Sequence, residues 1–375
     1  DDGIKQKLSG HINSGKLEIG PFYVQADSLL ISAESNIKNL EIGINEANKW
    51  GQTDDFVGYV PDSFGHISQM AQILKGFDID SFVFWRGAEP KKSEFLLKSP
   101  DDSLVLGIYL LGGYGNACEL GSTLFPIKYL NKRVSDLDHN IRTNNYLLIN
   151  GTDHQSPQKN IPKILKKADL KHCLLKDYVR QVKSDIDLDS LEIIKGELRA
   201  QNEKSLLRGT SSTRMYLKQM HRKTENLLEK ILGPMLVFSS QDPKAYLDLW
   251  KSFAKNFAHD SICGCSIDEV HRDMMERYEK IQQDAKKLIN TSTSKLASRI
   301  DTSWFNGNDP GVVLFNTLDF DRNSIIEFPY EGCSKDLSAV DEEGNLMPVK
   351  VLNNKIAFFA KNIPANGYKV YQIIE

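Results

Sequence analysis

Three patterns of hydrophobic and polar positions follow one another along the 375 residues of this chain. From residue 1 to about 195, short apolar runs alternate with helical stretches, as an α/β unit with parallel strands requires. Residues 56–60 and 146–149 read as short buried strands, because both are apolar and bounded by turn residues. Residues 17–24 read as a further strand, entered through the turn Asn13-Ser-Gly-Lys16, and residues 69–75 read as a helix.

From Ser205 to Ile300 the pattern is almost continuously helical, with breaks expected near Gly233-Pro234 and at a loop around His259. In its last helix, Ile267, Val270, Met274, Tyr278, Ile281, Ala285, Leu288, Leu296 and Ile300 recur at spacings of three and four, apart from the wider gap before Leu296. That amphipathic stripe predicts the core of a three-helix bundle with a solvated charged face. Ser266 starts this helix and makes a Ser-x-x-Glu capping box with Glu269. Beyond residue 301 the period becomes two. Residues 311–316, 324–328, 348–352 and 355–359 are strand candidates, separated by turns at Glu343-Gly-Asn345, Asn353-Asn354 and Ala365-Asn-Gly367.

The candidate chemistry sits where these patterns break. Pro61 cannot donate to a strand ladder, so pairing ends there and Asp62 falls just past the C-terminal end of a strand. In α/β folds that end gathers catalytic groups, although an Asp there also serves as a plain turn residue or helix cap. Asp153, in Asn150-Gly-Thr-Asp-His154, stands in the same position after the run at 146–149. Two carboxylates on neighbouring strands suit glycosidic cleavage, in which one protonates the leaving oxygen and the other is nucleophile or base. His259 and Asp260 lie between a predicted helix at 245–257 and a glycine-containing loop, as a metal ligand with its neighbour or as a capping pair.

Composition narrows this only slightly. The length allows two or three domains with a sizeable core, and the net charge of -3 shows no basic block for nucleic acid or a membrane surface. No apolar run reaches spanning length and no signal peptide is visible. Five cysteines, at 118, 173, 263, 265 and 333, cannot all pair, which favours a reduced, cytoplasmic setting. Cys263-Gly-Cys265 has the form of a metal or redox pair but lacks the second Cys or His cluster of a zinc finger.

Together the segments Ile19-Gly-Pro-Phe-Tyr-Val-Gln-Ala-Asp27, Tyr59-Val-Pro-Asp-Ser-Phe-Gly-His66, Gln72-Ile-Leu-Lys-Gly-Phe77, Phe84-Trp-Arg-Gly87, Thr210-Ser-Ser-Thr-Arg-Met-Tyr-Leu-Lys-Gln219 and His259-Asp-Ser-Ile-Cys-Gly264 resemble the family 38 glycoside hydrolases. These are the retaining, zinc-dependent α-mannosidases, and the resemblance runs in order from about residue 9 to 330, closest to bacterial members. It implies that Asp62 is the nucleophile and a zinc ligand, Asp153 the general acid/base and His259 a second zinc ligand. It further implies that Asp260 contacts the sugar, that Arg86 is a basic residue beside the nucleophile, and that Tyr114 in Gly112-Gly-Tyr-Gly-Asn116 contacts the substrate. The implied cofactor is one zinc ion per active site, which would hold the sugar's vicinal hydroxyls.

The family's remaining two zinc ligands come from a His-x-Asp motif after its first strand, and that segment is expected before residue 1. The one His-x-Asp here, His271-Arg-Asp273, lies in the long helix, where residues two apart diverge by about 200°. It reads as surface.

The expected architecture is α/β: a parallel-sheet, distorted β/α-barrel catalytic domain at residues 1–200, incomplete at its N-terminus, then a three-helix bundle at 201–300, then the start of an all-β domain at 301–375. The expected partner is an α-mannoside oligosaccharide or small mannosyl conjugate, with no nucleic acid and no membrane, and with a homo-oligomer left open. Two other readings are a zinc-dependent hydrolase using metal-activated water on another bond, and an inactive sugar-binding fragment.

Overall fold

The computed structural model describes every residue except 1, 169, 202–205, 308, 333 and 335. Ser205, the expected start of the helical stretch, and Cys333 therefore lie outside the described residues. The helices are α1 (Asp2–Asn13), α2 (Ala33–Trp50), α3 (Met70–Lys75), α4 (Pro126–Asp138), α5 (Ile161–Ala168), α6 (Leu175–Asp185), α7 (Met215–Asn226), α8 (Gly233–Ser239), α9 (Lys244–Ala254), α10 (His259–Cys263) and α11 (Asp268–Ala297). The chain divides into two compact units, Asp1–Met220 with Lys251–Glu276, and His221–Trp250 with Arg277–Glu375.

The first unit is built on β1 (Gly58–Val60), β2 (Ser81–Phe84), β3 (Glu94–Lys98), β4 (Leu104–Tyr109) and β5 (Ile193–Lys195), in the order β1-β2-β4-β3-β5. Strand side chains alternate between two cores. Val60, Phe82, Phe84, Phe95, Leu97 and Val105 bury against Leu40 of α2 and Met70 and Leu74 of α3. Val83, Leu106 and Ile108 bury on the other face against Tyr178, Val179 and Val182 of α6. A sheet covered on both faces is why β2 is apolar and buried at nearly every position.

Three expectations are corrected here. The sheet is mixed rather than all parallel, because β3 runs antiparallel to β4. Only residues 99–103 join the two, closed by Ser99 N–H to Ser103 O at 3.0 Å, and a parallel crossover needs a dozen or more residues. Residues 17–24 form no strand. Their polar backbone is satisfied instead by the Asn39 side chain of α2, which accepts from Val24 N–H at 3.0 Å and donates to Val24 O at 2.9 Å. This close approach needs Gly43, where a Cβ would lie 2.1 Å from Pro21 O. Residues 146–149 are also irregular, for a reason that belongs to the site.

Two further corrections concern helices. The α11 helix begins at Asp268 and not at Ser266, whose N–H is taken by Asp260 O at 3.2 Å. His271 is buried rather than surface, since it shares the inward face of α11 with Met274, whereas Asp273 is exposed. Ile267 is itself exposed.

In the second unit, helical geometry continues through Gly233-Pro234 and breaks instead at Ser240, which is left-handed with φ 49°. A wider turn over Leu227–Leu232, ending in Gly233 N–H to Leu228 O, carries the chain past Pro234. His221 Nδ1 lies 3.2 Å from the Tyr278 hydroxyl and Gln282 donates to Thr224 at 2.8 Å, so α7 and α11 meet through buried polar groups. The strands are β6 (Gly311–Asn316), β7 (Arg322–Pro329), β8 (Ser338–Asp341), β9 (Leu346–Pro348), β10 (Lys350–Leu352), β11 (Lys355–Ile363) and β12 (Gly367–Ile374). They form antiparallel sheets β10-β11-β7 and β6-β12-β8-β9 over one core containing Ile356, Phe358, Tyr371 and Ile373. No described helix is long and apolar enough to cross a membrane.

Candidate functional site

The loops after β1 and β2 lie side by side because their strands pair in parallel, which brings Asp62 and Arg86 together. Segment 198–200 closes over both loops, bridging His66 to Leu198 and Gly87 to Ala200. That closure requires glycines. Gly65 (φ 108°) and Gly87 (φ 94°) face Leu198 O so closely that a Cβ would sit 2.7 and 2.3 Å from it.

Arg86 gives both Nε (2.7 Å) and Nη2 (2.6 Å) to the same Asp62 oxygen, Oδ1. Trp85 and Phe64 stack on the guanidinium at 4.6 and 5.6 Å and fix its plane. The second oxygen, Oδ2, faces His259 Nε2 at 3.9 Å. His259 heads α10, anchored by its N–H on Gln25 O, while its Nδ1 lies 2.9 Å from the same carbonyl. A carbonyl can only accept, so Nδ1 carries a proton and Nε2 is the ring nitrogen turned toward Asp62, the one free to bind a metal when the ring is neutral.

This donor set fits a zinc ion. A 3.9 Å gap is within the reach of two bonds of about 2.1 Å, and a ligating His commonly donates its other nitrogen to a backbone carbonyl. Asp62 and His259 are two donors where zinc normally takes three or four from protein. A separate group of metal-type donors, Asp260, Cys263 and Cys265, has its ligand atoms within 4.8 Å of one another. Asp260 Oδ1 also lies 3.9 Å from His259 Nε2.

Asp153 joins from a different direction. Tyr114, following β4, donates its hydroxyl to Asp153 Oδ2 at 2.9 Å and meets Trp85 edge-on at 5.4 Å. Burial first, then that hydrogen bond and the nearby charge of Asp62, hold the Tyr114 phenol above its ordinary range. The irregular run at 146–149 is held by Asn116, which accepts from Ile149 N–H at 2.8 Å and donates to Leu147 O at 2.9 Å, while Ala117 N–H bonds Ile149 O. A side-chain clamp replaces the ladder that its apolar pattern predicts.

All six residues singled out in the sequence thus fall in one region of the first unit. Asp27 sits there too, buried, accepting from Leu29 N–H and pushed up to about 6 chiefly by that burial. Nothing in its sequence context marks it beyond its place in the first motif. A cavity of about 370 Å³ opens beside it, lined among others by Asp27, Phe64, Arg199, Arg208, Thr210 and Ser211. Phe64 is also edge-on to the His259 ring at 5.7 Å, so the cavity borders the Asp62 cluster.

The site thus gathers the Asp62–Arg86 pair beyond two parallel strand ends, His259 and Asp260 at the head of α10, and the Tyr114–Asp153 pair. The chain belongs to glycosyl hydrolases family 38: the N-terminal domain of that family matches residues 2–194, just over half of the chain, and the alpha mannosidase middle domain matches residues 205–296. A protein of Halalkalibacterium halodurans provisionally named mannosylglycerate hydrolase is 35% identical over 320 residues, covering 78% of this chain and 36% of its own length. Alpha-mannosidase 2C1 of Mus musculus is 25% identical over 87% of this chain and 32% of its own. The crystal structure of an alpha-mannosidase from Enterococcus faecalis V583 superposes with a TM-score of 0.89 at 27% identity, over all of this chain and 49% of that one. The chain therefore spans about a third of the length of these curated relatives.

Proposed function

We propose that this chain carries part of the active site of a retaining, zinc-dependent α-mannosidase. The observation that supports this best is the division of labour at Asp62, with Oδ1 held by Arg86 and Oδ2 left facing His259 Nε2. A nucleophilic carboxylate needs both features, since the arginine fixes its orientation and leaves the other oxygen for metal and anomeric carbon. Asp62 attacks the anomeric carbon, and Asp153, within reach of the Tyr114 hydroxyl, protonates the departing oxygen. Asp153 then removes a proton from the water that frees the sugar. Asp260 and Tyr114 contact the sugar.

Asp62 and His259 would hold the zinc, together with two donors from a His-x-Asp segment of the whole protein. When bound, zinc supplies positive charge that orients the sugar hydroxyls. A distorted barrel over residues 1–200, a three-helix bundle over 201–300 and a β domain from 301 are part of the same proposal, as is a cytoplasmic setting. The cavity with Arg199 and Arg208 supports a small acidic aglycone, which agrees with the name of the Halalkalibacterium relative.

The test is covalent trapping in the whole enzyme. A slow fluorinated mannosyl substrate should leave its sugar on the peptide containing Pro61-Asp62-Ser63, and Asp62→Ala should cut activity by about 10⁴-fold or more. Labelling of another carboxylate would overturn the assignment of Asp62, and turnover with no covalent sugar would favour attack by metal-activated water.

A further inference from the structure

The Cys263-Gly-Cys265 pair is left unused by the chemistry above. We infer that it is a modification site, a dithiol that closes to a disulfide by exchange with a small disulfide such as glutathione disulfide.

The geometry carries this. Cys263 ends α10 and is fully buried, whereas Cys265 is exposed. Their sulfurs lie 3.2 Å apart, and Cys265 Sγ donates onward to Asp260 Oδ1 at 3.0 Å. Between them Gly264 is left-handed at φ 87°, with its N–H bonded to Ser261 O. Lys218 Nζ pins the turn from outside, donating to Ile262 O and Cys263 O at 3.0 Å each. An exposed attacking thiol thus has a buried resolving thiol against it, and bonding at about 2.05 Å brings the two sulfurs about 1 Å closer.

A metal site fits the same atoms less well. Two thiolates on tetrahedral zinc, each bonded at about 2.3 Å, stand about 3.8 Å apart. Here the sulfurs are closer and hydrogen-bond to each other. Burial raises both thiols above their ordinary range, with Asp260 raising Cys265 further, so exchange is slow.

The step balances. The Cys265 thiolate attacks one sulfur of glutathione disulfide and expels one glutathione. Cys263, losing its proton, then attacks the Cys265 sulfur and expels the second. Two electrons and two protons pass from the pair to two molecules of glutathione. Closure removes the thiol donor from Asp260. Any consequence for sugar binding rests on the reading of Asp260 as a sugar contact, but the modification itself does not.

The experiment equilibrates the full chain with excess glutathione disulfide, quenches with N-ethylmaleimide and maps peptides by mass. The peptide carrying both cysteines should lose both alkylation sites and two hydrogens, with full recovery in dithiothreitol. Half-buried Cys118 and exposed Cys173, which have no such thiol against them among the described residues, should stop at single glutathione adducts. Cys263→Ser should trap glutathione on Cys265, and Cys265→Ser should leave Cys263 unmodified. A stable glutathione adduct on Cys265 of the unsubstituted chain would overturn the proposal, as would full alkylation of both thiols. So would exchange that begins only after chelation, which would make the pair a metal site.

Discussion

At the scale of single residues, Asp153 has the most exacting role to test. A general acid matters most for poor leaving groups, so in the whole enzyme Asp153→Ala should slow natural mannosides severely and an activated aryl mannoside far less. Azide should then restore turnover and give an α-mannosyl azide. Equal slowing of both substrates, with no rescue, would make Asp153 structural. Asp27 and His66 set opposing pH dependences. Asp27 is raised from 3.8 to about 6, so the fold prefers it protonated and loses stability as pH rises across that window. His66, enclosed edge-on by Phe82 and Phe84, is lowered from 6.5 to about 3 by burial, so the fold loses stability as pH falls across that window. The His66 shift is larger than that of Asp27, so between these two groups the balance favours loss on acidification. In metal-free protein, Asp27→Asn should add about 1 to 3 kcal/mol at neutral pH and steepen the acid loss. Denaturant titrations at neutral and acid pH check this, and a variant no more stable at neutral pH would reject it.

At the scale of elements, placement of the acid depends on a clamp rather than on a strand. Asn116 holds itself in the loop after β4 by donating to Leu111 O at 3.1 Å and ties Leu147 and Ile149 to that loop with two further hydrogen bonds. Asn116→Ala should cost about 2 to 4 kcal/mol, because it leaves an N–H and carbonyls unpaired in a nearly closed setting. Hydrogen exchange should speed up at Ile149 while β2 stays protected. Uniform acceleration across the sheet would mean that the clamp serves general stability instead.

At the scale of the whole molecule, the metal is the sharpest test. Asp62 and His259 are two donors, and a site with two protein ligands binds zinc weakly. The 375-residue chain should therefore lose its zinc on dialysis against a chelator, and His259→Ala should abolish what binding remains. Tight stoichiometric zinc that survives His259→Ala but is lost in Cys263→Ser would move the metal to the dithiol.

What the sequence determined was local. The apolar run ending at Pro61 is a strand because its residues allow little else, and Pro61 ends it, so Asp62 was legible at a strand end. Several period-two strands from Gly311 onward were equally legible, although β8 and β12 lay outside the runs read as strands and residues 348–352 proved to be the end of β9 and then β10. Tertiary structure decided the rest. Residues 17–24 and 146–149 have strand-like composition, but Asn39 and Asn116 satisfy their backbones from far along the chain. The orientation of β3 followed from a short turn, and the burial of His271 from the face that α11 turns inward. The meeting of Asp62 with Arg86, His259 and the Tyr114–Asp153 pair likewise required the sheet order, because hydrogen bonds reaching across tens to hundreds of residues leave no periodic trace in sequence.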